Sequence, residues 1–132
     1  MASVRREITT KARVDDVWSA IRDVGALHTR LVPGFVTDTK LDGDVRIVTF
    51  GNGMVVREPI VTVDDEARRL VWSAEGRITK HYNASVQVSA NDDGSSKVVW
   101  IADFLPDSAL TTISTAIDTG MAVMKKTLDR LP

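Results

Sequence analysis

The run 107–131 constrains this chain most. Its apolar residues, Leu110, Ile113, Ile117, Met121, Met124, Leu128 and Leu131, recur every three or four positions, the repeat of one face of an α-helix. Asp107, directly after Pro106, stands where a helix start is capped, and Lys125, Lys126 and Arg130 fall in the last turns, where cations complement the helix dipole. About 24 residues at ~1.5 Å each make a rod of roughly 36 Å. The chain has 132 residues and most of its other segments alternate, so the rod needs a sheet to bury its apolar face.

Upstream, the period is mostly two. Strands are expected at 4–11, 35–41, 45–50, 54–63, 68–75, 80–90 and 96–105, separated by Asp42-Gly43-Asp44, Gly51-Asn52-Gly53, Asp64-Asp65-Glu66-Ala67, Gly76 and Asn91-Asp92-Asp93-Gly94. Turns every ten or so residues predict an antiparallel meander. Only 14–22 and 24–31 break the pattern. Val14, Val17, Trp18 and Ile21 keep helical spacing, and the second short helix, with Leu27 and Leu31, stops before Pro33-Gly34. The expected fold class is therefore α+β, in one domain spanning 1–132: strand, two short helices, six strands and a long helix.

Alternation assigns the faces. Tyr82, Ala84, Val86, Val88 and Ala90 point inward, as do Val98, Trp100, Ala102 and Phe104, and Leu70, Trp72 and Ala74. In 54–63 both faces carry apolar residues, so parity alone does not choose. On the inner side the candidate polar groups are Glu58, Tyr82, Thr62 and Arg46. A carboxyl in an apolar space has its pKa raised by desolvation and can serve as an acid or base, with Tyr82 orienting a carbonyl or phenol; Arg46, Arg57 or a water could instead hold Glu58 as a structural group. His28 and His81 are expected at the surface. Gly120, inside the long helix, costs about 1 kcal/mol relative to alanine; it either makes room for a ligand or a close strand, or is simply tolerated.

Composition excludes several classes. The net charge is −1, with no Lys/Arg cluster to mark nucleic acid. The sequence has no cysteine, which removes disulfides and thiolate metal sites, and two histidines without ligand spacing predict no metal and no cofactor. No run approaches the ~18 apolar residues of a membrane span and no signal peptide is evident, so a cytoplasmic protein without membrane insertion is expected, as a monomer or homodimer. Nucleophilic triads, phosphate-cradling loops and dinucleotide fingerprints are missing from the sequence.

Several pieces, in order and spacing, carry a resemblance over nearly the whole chain: Asp16-Val17-Trp18-Ser19-Ala20-Ile21-Arg22-Asp23, Asp44-Val45-Arg46-Ile47-Val48-Thr49-Phe50, Arg57-Glu58-Pro59-Ile60, His81-Tyr82-Asn83-Ala84-Ser85 and Lys97-Val98-Val99-Trp100. They resemble the START-like (SRPBCC, pollen-allergen-like) helix-grip superfamily, nearest its small bacterial polyketide cyclase/dehydrase-like members. The resemblance implies a seven-stranded antiparallel sheet gripping the C-terminal helix, with a cavity between them. It places Glu58 and Tyr82 as inward polar residues, Val48 and Phe50 at lining positions, and Gly120 and Met124 on the cavity side of the helix. Ile60, Trp72, Trp100, Ile113 and Ile117 complete the expected ligand-binding set. Gly51-Asn52-Gly53-Met54 lies where the plant hormone receptors of this superfamily have a gate loop, without their fuller motif. Leu31-Val32-Pro33 replaces the Trp-His-Pro of many bacterial relatives.

Three functions follow from these expectations. The first is binding, transport or sensing of a small hydrophobic molecule such as a polyketide, lipid or isoprenoid. The second is a polyketide cyclase, aromatase or dehydratase, a lyase or isomerase using Glu58 and Tyr82. The third is a ligand-free interaction domain with a filled interior, Val61, Val63, Val99 and Ile101 supplying an outer apolar patch.

Overall fold

A computed structural model of the chain describes residues 1–76 and 78–132. Seven strands form one antiparallel sheet: β1 (Ala2–Thr10), β2 (Val36–Asp42), β3 (Val45–Phe50), β4 (Val55–Asp64), β5 (Arg69–Ser73), β6 (His81–Ala90) and β7 (Ser96–Leu105). Their order is β1-β7-β6-β5-β4-β3-β2, so everything from β2 to β7 is a meander and β1 closes against β7. Helix α1 (Val14–Arg22) and two short turns, 3₁₀ at Val24–Ala26 and π at Leu27–Leu31, link β1 to β2; helix α2 (Leu110–Asp129) follows a 3₁₀ turn at Asp107–Ala109. This is the helix-grip arrangement.

Two strands carry an extra residue. Register shifts between Val36 and Asp38 in β2 and between Ile60 and Thr62 in β4, and such bulges bend and twist a strand. The second shift corrects the parity expected for Thr62: beyond the bulge it is exposed, as are Val61 and Val63. Val71, assigned to the outer face, is nevertheless buried.

One end of α2 is sealed onto the sheet. Ile117, Met121, Met124 and Leu128 are buried, joining Val4, Trp18, Ile21, Val86, Val88 and Val98 in the core. Polar clamps fix that end to β1. The buried Thr10 hydroxyl donates to Asp129 Oδ1 at 2.7 Å, Lys125 Nζ donates to the Thr9 carbonyl at 2.6 Å, and Arg6 Nε reaches Asp118 at 2.6 Å. Asp65, in the β4–β5 turn, accepts from Trp18 Nε1 at 2.9 Å and Arg22 Nε at 2.7 Å, tying α1 to the sheet. The other end of α2 is looser: Ile113 is half-buried and Leu110 exposed. Asp107 makes no side-chain capping bond, correcting that expectation.

Candidate functional site

β3, β5 and β7 run toward the same edge of the sheet, and β1 and β2 start there. That edge therefore gathers the 51–54 turn, the β5–β6 loop and the crossing into α2. Most of the exposed large apolar side chains sit on it: Met54, Val55, Ile78, Leu105 and Leu110. Just inside lie Phe35, Phe50, Ile60, Tyr82 and Trp100, with Ile113 of α2 among them, packed on the core but only half-buried. A sealed interior would cover such side chains completely.

Beneath them lies a polar group. Arg46 and Glu58 face each other across β3 and β4. Arg46 Nε and Nη2 donate to the same oxygen, Glu58 Oε1, at 3.1 and 2.8 Å, with side chains 3% and 10% exposed. The guanidinium lies 5.5 Å from the centre of the Trp72 ring, a cation–π contact. The β4–β5 and β5–β6 pairings put only Ala74 between Glu58 and Tyr82, two strand spacings or ~10 Å apart. Burial pushes the Glu58 carboxyl above its ordinary pKa, and the charge and hydrogen bonds of Arg46 oppose the rise. Burial also raises the Tyr82 phenol, the Glu58 charge adds to it, and the Trp100 indole opposes it. No hydrogen bond joins Glu58 to Tyr82 among the described residues.

Aromatic rings fill the space between this group and the rim. Trp72 and Trp100 meet at 5.8 Å between centroids, Tyr82 stacks on Phe104 at 6.3 Å, and Phe35 meets Phe50 edge-on at 5.4 Å. Gly120 is where α2 admits them: a Cβ there would stand 3.1 Å from Phe35 and 3.3 Å from Trp100. Of the roles expected for this glycine, the structure shows close packing, against rings rather than a strand. Trp100 Nε1 is buried and makes no hydrogen bond of good geometry among the described residues, and the Tyr82 phenol is the acceptor it faces.

The expected lining set thus divides. Val48, Trp72, Ile117 and Met124 are sealed in the core, whereas Phe50, Ile60, Tyr82, Trp100 and Ile113 stay half-buried. Phe35 was missed by the sequence reading; its signal is the Pro33-Gly34 turn that delivers an aromatic next to Phe50. Of the histidines, His81 is exposed as expected, but His28 is half-buried, its Nδ1 3.0 Å from Thr39 Oγ1, because the π turn lays it against β2. Among the described residues no three His, Asp or Glu gather as metal ligands. Two surface depressions lie elsewhere: about 260 Å³ around Arg22, Asp23, Gly25, Arg30 and Leu41, and about 400 Å³ on the outer side of α2 around Ala122, Val123 and Lys126.

A family model described as polyketide cyclase / dehydrase and lipid transport matches residues 1–131. No curated protein matches the sequence. Among solved structures, a Thermobifida fusca protein shares 30% identity over 98% of this chain and 91% of its own, with a TM-score of 0.80. The protein XoxI from Bacillus cereus shares 20% over 97% and 96%, with a TM-score of 0.86. Norcoclaurine synthase from Thalictrum flavum, solved with dopamine and hydroxybenzaldehyde, shares 20% over 98% and 84%, with a TM-score of 0.75.

Proposed function

Because the chain belongs to the polyketide cyclase/dehydrase and lipid transport family, we propose that it takes up a small hydrophobic molecule between the sheet and the open end of α2. Family and fold support hydrophobic ligand binding in general terms. The observation that carries the specific reading is the half-buried ring of Phe35, Phe50, Ile60, Tyr82, Trp100 and Ile113 around a buried ion pair. Apolar walls with a few convergent polar groups are the usual makeup of a small-molecule site. The exposed apolar rim gives a molecule of that kind its way in.

A second reading, acid–base catalysis of a cyclisation or dehydration, has one observation in its favour: a carboxyl with a raised pKa on the same sheet face as a phenol two strands away. Against it, Arg46 already engages Glu58 Oε1 twice. An anchoring role for Glu58 fits this geometry better. The third reading needs a filled interior, and the aromatic rings below the rim favour it; the half-buried side chains at the rim favour the first reading.

The test is a titration with a fluorescent apolar probe, N-phenylnaphthylamine, on wild type and Ile113→Arg. A charge at the half-buried Ile113 is expected to weaken probe binding at least tenfold, about 1.4 kcal/mol, with the fold intact by circular dichroism. Equal binding by both proteins would remove the site from this crevice.

A further inference from the structure

The space beside Gly120 is taken by one of the chain's own side chains. The Phe35 ring lies against α2 there, with Cε2 3.1 Å and Cζ 3.3 Å from where a Gly120 Cβ would stand. The neighbouring rings Phe50, Trp72, Tyr82 and Trp100 belong to β3, β5, β6 and β7, strands paired on both sides. Phe35 has no such support: it stands just before the edge strand β2, after the exposed Pro33 and Gly34, and is itself half-buried.

The backbone of Phe35 is tied to a second turn. Gly51 N–H donates to the Phe35 carbonyl at 2.9 Å, and a Cβ on Gly51 would stand 2.6 Å from the Gly34 carbonyl oxygen. The 51–54 turn is closed on itself. Phe50 N–H donates to the Met54 carbonyl at 2.8 Å, Gly53 N–H to the Phe50 carbonyl at 2.9 Å and Met54 N–H to Asn52 Oδ1 at 3.0 Å. Pro33, Gly34 and all of 51–54 are exposed, so nothing packs over them. Beneath them the buried Val36 pairs with Phe50, and the register of β2 slips directly behind that pair. The two turns thus make one small body, with Phe35 as its inward face and Val36 at its base.

Resting on the binding reading above, we infer that Phe35 is an internal plug: its ring holds the place at Gly120 that a bound molecule takes, and it withdraws together with the 51–54 turn as one lid. A ligand then meets a site that is open in only a fraction of molecules, and its apparent affinity is lowered by that fraction. With the open form at no more than about 10% of molecules, removing the plug tightens binding about tenfold or more.

The probe is N-phenylnaphthylamine, followed by equilibrium and stopped-flow fluorescence on wild type, Phe35→Ala and Phe35→Leu. Backbone ¹⁵N relaxation dispersion is recorded on the free wild type. Phe35→Ala is expected to bind the probe about tenfold or more tightly than wild type, with the gain in the association rate. Phe35→Leu, which keeps an apolar contact and loses the ring, moves the same way by a smaller factor. In the free wild type the amides of Gly34, Phe35, Gly51, Asn52 and Gly53 are expected to share one exchange rate, and Gly51→Ala, whose Cβ wedges the turns apart, to split it. Equal or weaker binding by both Phe35 variants would overturn the plug. Separate rates for the two turns, or no exchange in either, would overturn the lid. In those cases the binding site stands as long as Ile113→Arg weakens the probe. No probe binding by wild type would overturn the plug and the site together.

Discussion

The buried pair Arg46–Glu58 permits a quantitative test of how the interior is built. Each partner is almost completely withdrawn from water, and both guanidinium contacts fall on a single carboxylate oxygen. Removing one member leaves the other charged and uncompensated, at a cost of about 3–5 kcal/mol. Total stability for a domain of this size is roughly 5–15 kcal/mol, so the loss is a large share. Arg46→Met also gives up the cation–π contact with Trp72, on the order of 1 kcal/mol, and is expected at the upper end of the range. Replacing both, as Arg46→Met with Glu58→Leu, removes the desolvation burden and is expected within about 1–4 kcal/mol of wild type, on either side. The coupling energy from urea denaturation of the four proteins is then at least about 3 kcal/mol. A coupling below about 1 kcal/mol, the range of an exposed pair, would refute the reasoning.

Three further outcomes follow. Gly51→Ala puts a Cβ 2.6 Å from the Gly34 carbonyl, a backbone atom that cannot step aside; a loss of about 1–3 kcal/mol is expected, read from the denaturation midpoint. Gly120→Ala meets side-chain carbons at 3.1 and 3.3 Å, one of them on the half-buried Phe35 ring. The gain in helix propensity of about 1 kcal/mol nearly offsets that crowding, whereas Gly120→Leu costs more than 1 kcal/mol by overpacking; thermal melts of both variants separate the cases. The Thr10 hydroxyl, first, and Lys125 hold the Asp129 carboxyl below its ordinary pKa. A depressed folded-state value stabilises above the unfolded carboxyl pKa of ~3.9. The contribution is lost as pH falls through the folded value, so Asp129→Asn is less stable than wild type at pH ~7 and the gap closes on acidification.

The periodic part of the fold was legible, and the departures from periodicity were not. The apolar stripe of α2 and the turn signals placed all seven strands, because those patterns report burial directly. The β4 bulge was invisible, since counting by two assumes that no residue is added, and Thr62 was misplaced for that reason. The β4–β5 turn contains no glycine, yet Arg68 adopts φ 51° there, a left-handed conformation that the sequence does not advertise. Parity could not choose the inner face of β4. The ion pair does so, because Glu58 lies directly across from Arg46. Within the site, Glu58, Tyr82 and Trp100 were named from alternation and resemblance, and they share one face of the sheet, with Glu58 and Tyr82 two strand spacings apart. The placing of the Trp100 indole against the Tyr82 phenol could not be read from any pattern, because it depends on where the rings come to rest around Gly120.

The most direct test of the central claim is a set of isotope-edited NOEs between protein methyl groups and bound N-phenylnaphthylamine. Contacts from Ile60 and Ile113 place the molecule in the crevice between sheet and α2, as this account predicts. Contacts confined to Val123 on the outer side of α2, or to Leu41 beside α1, would contradict it.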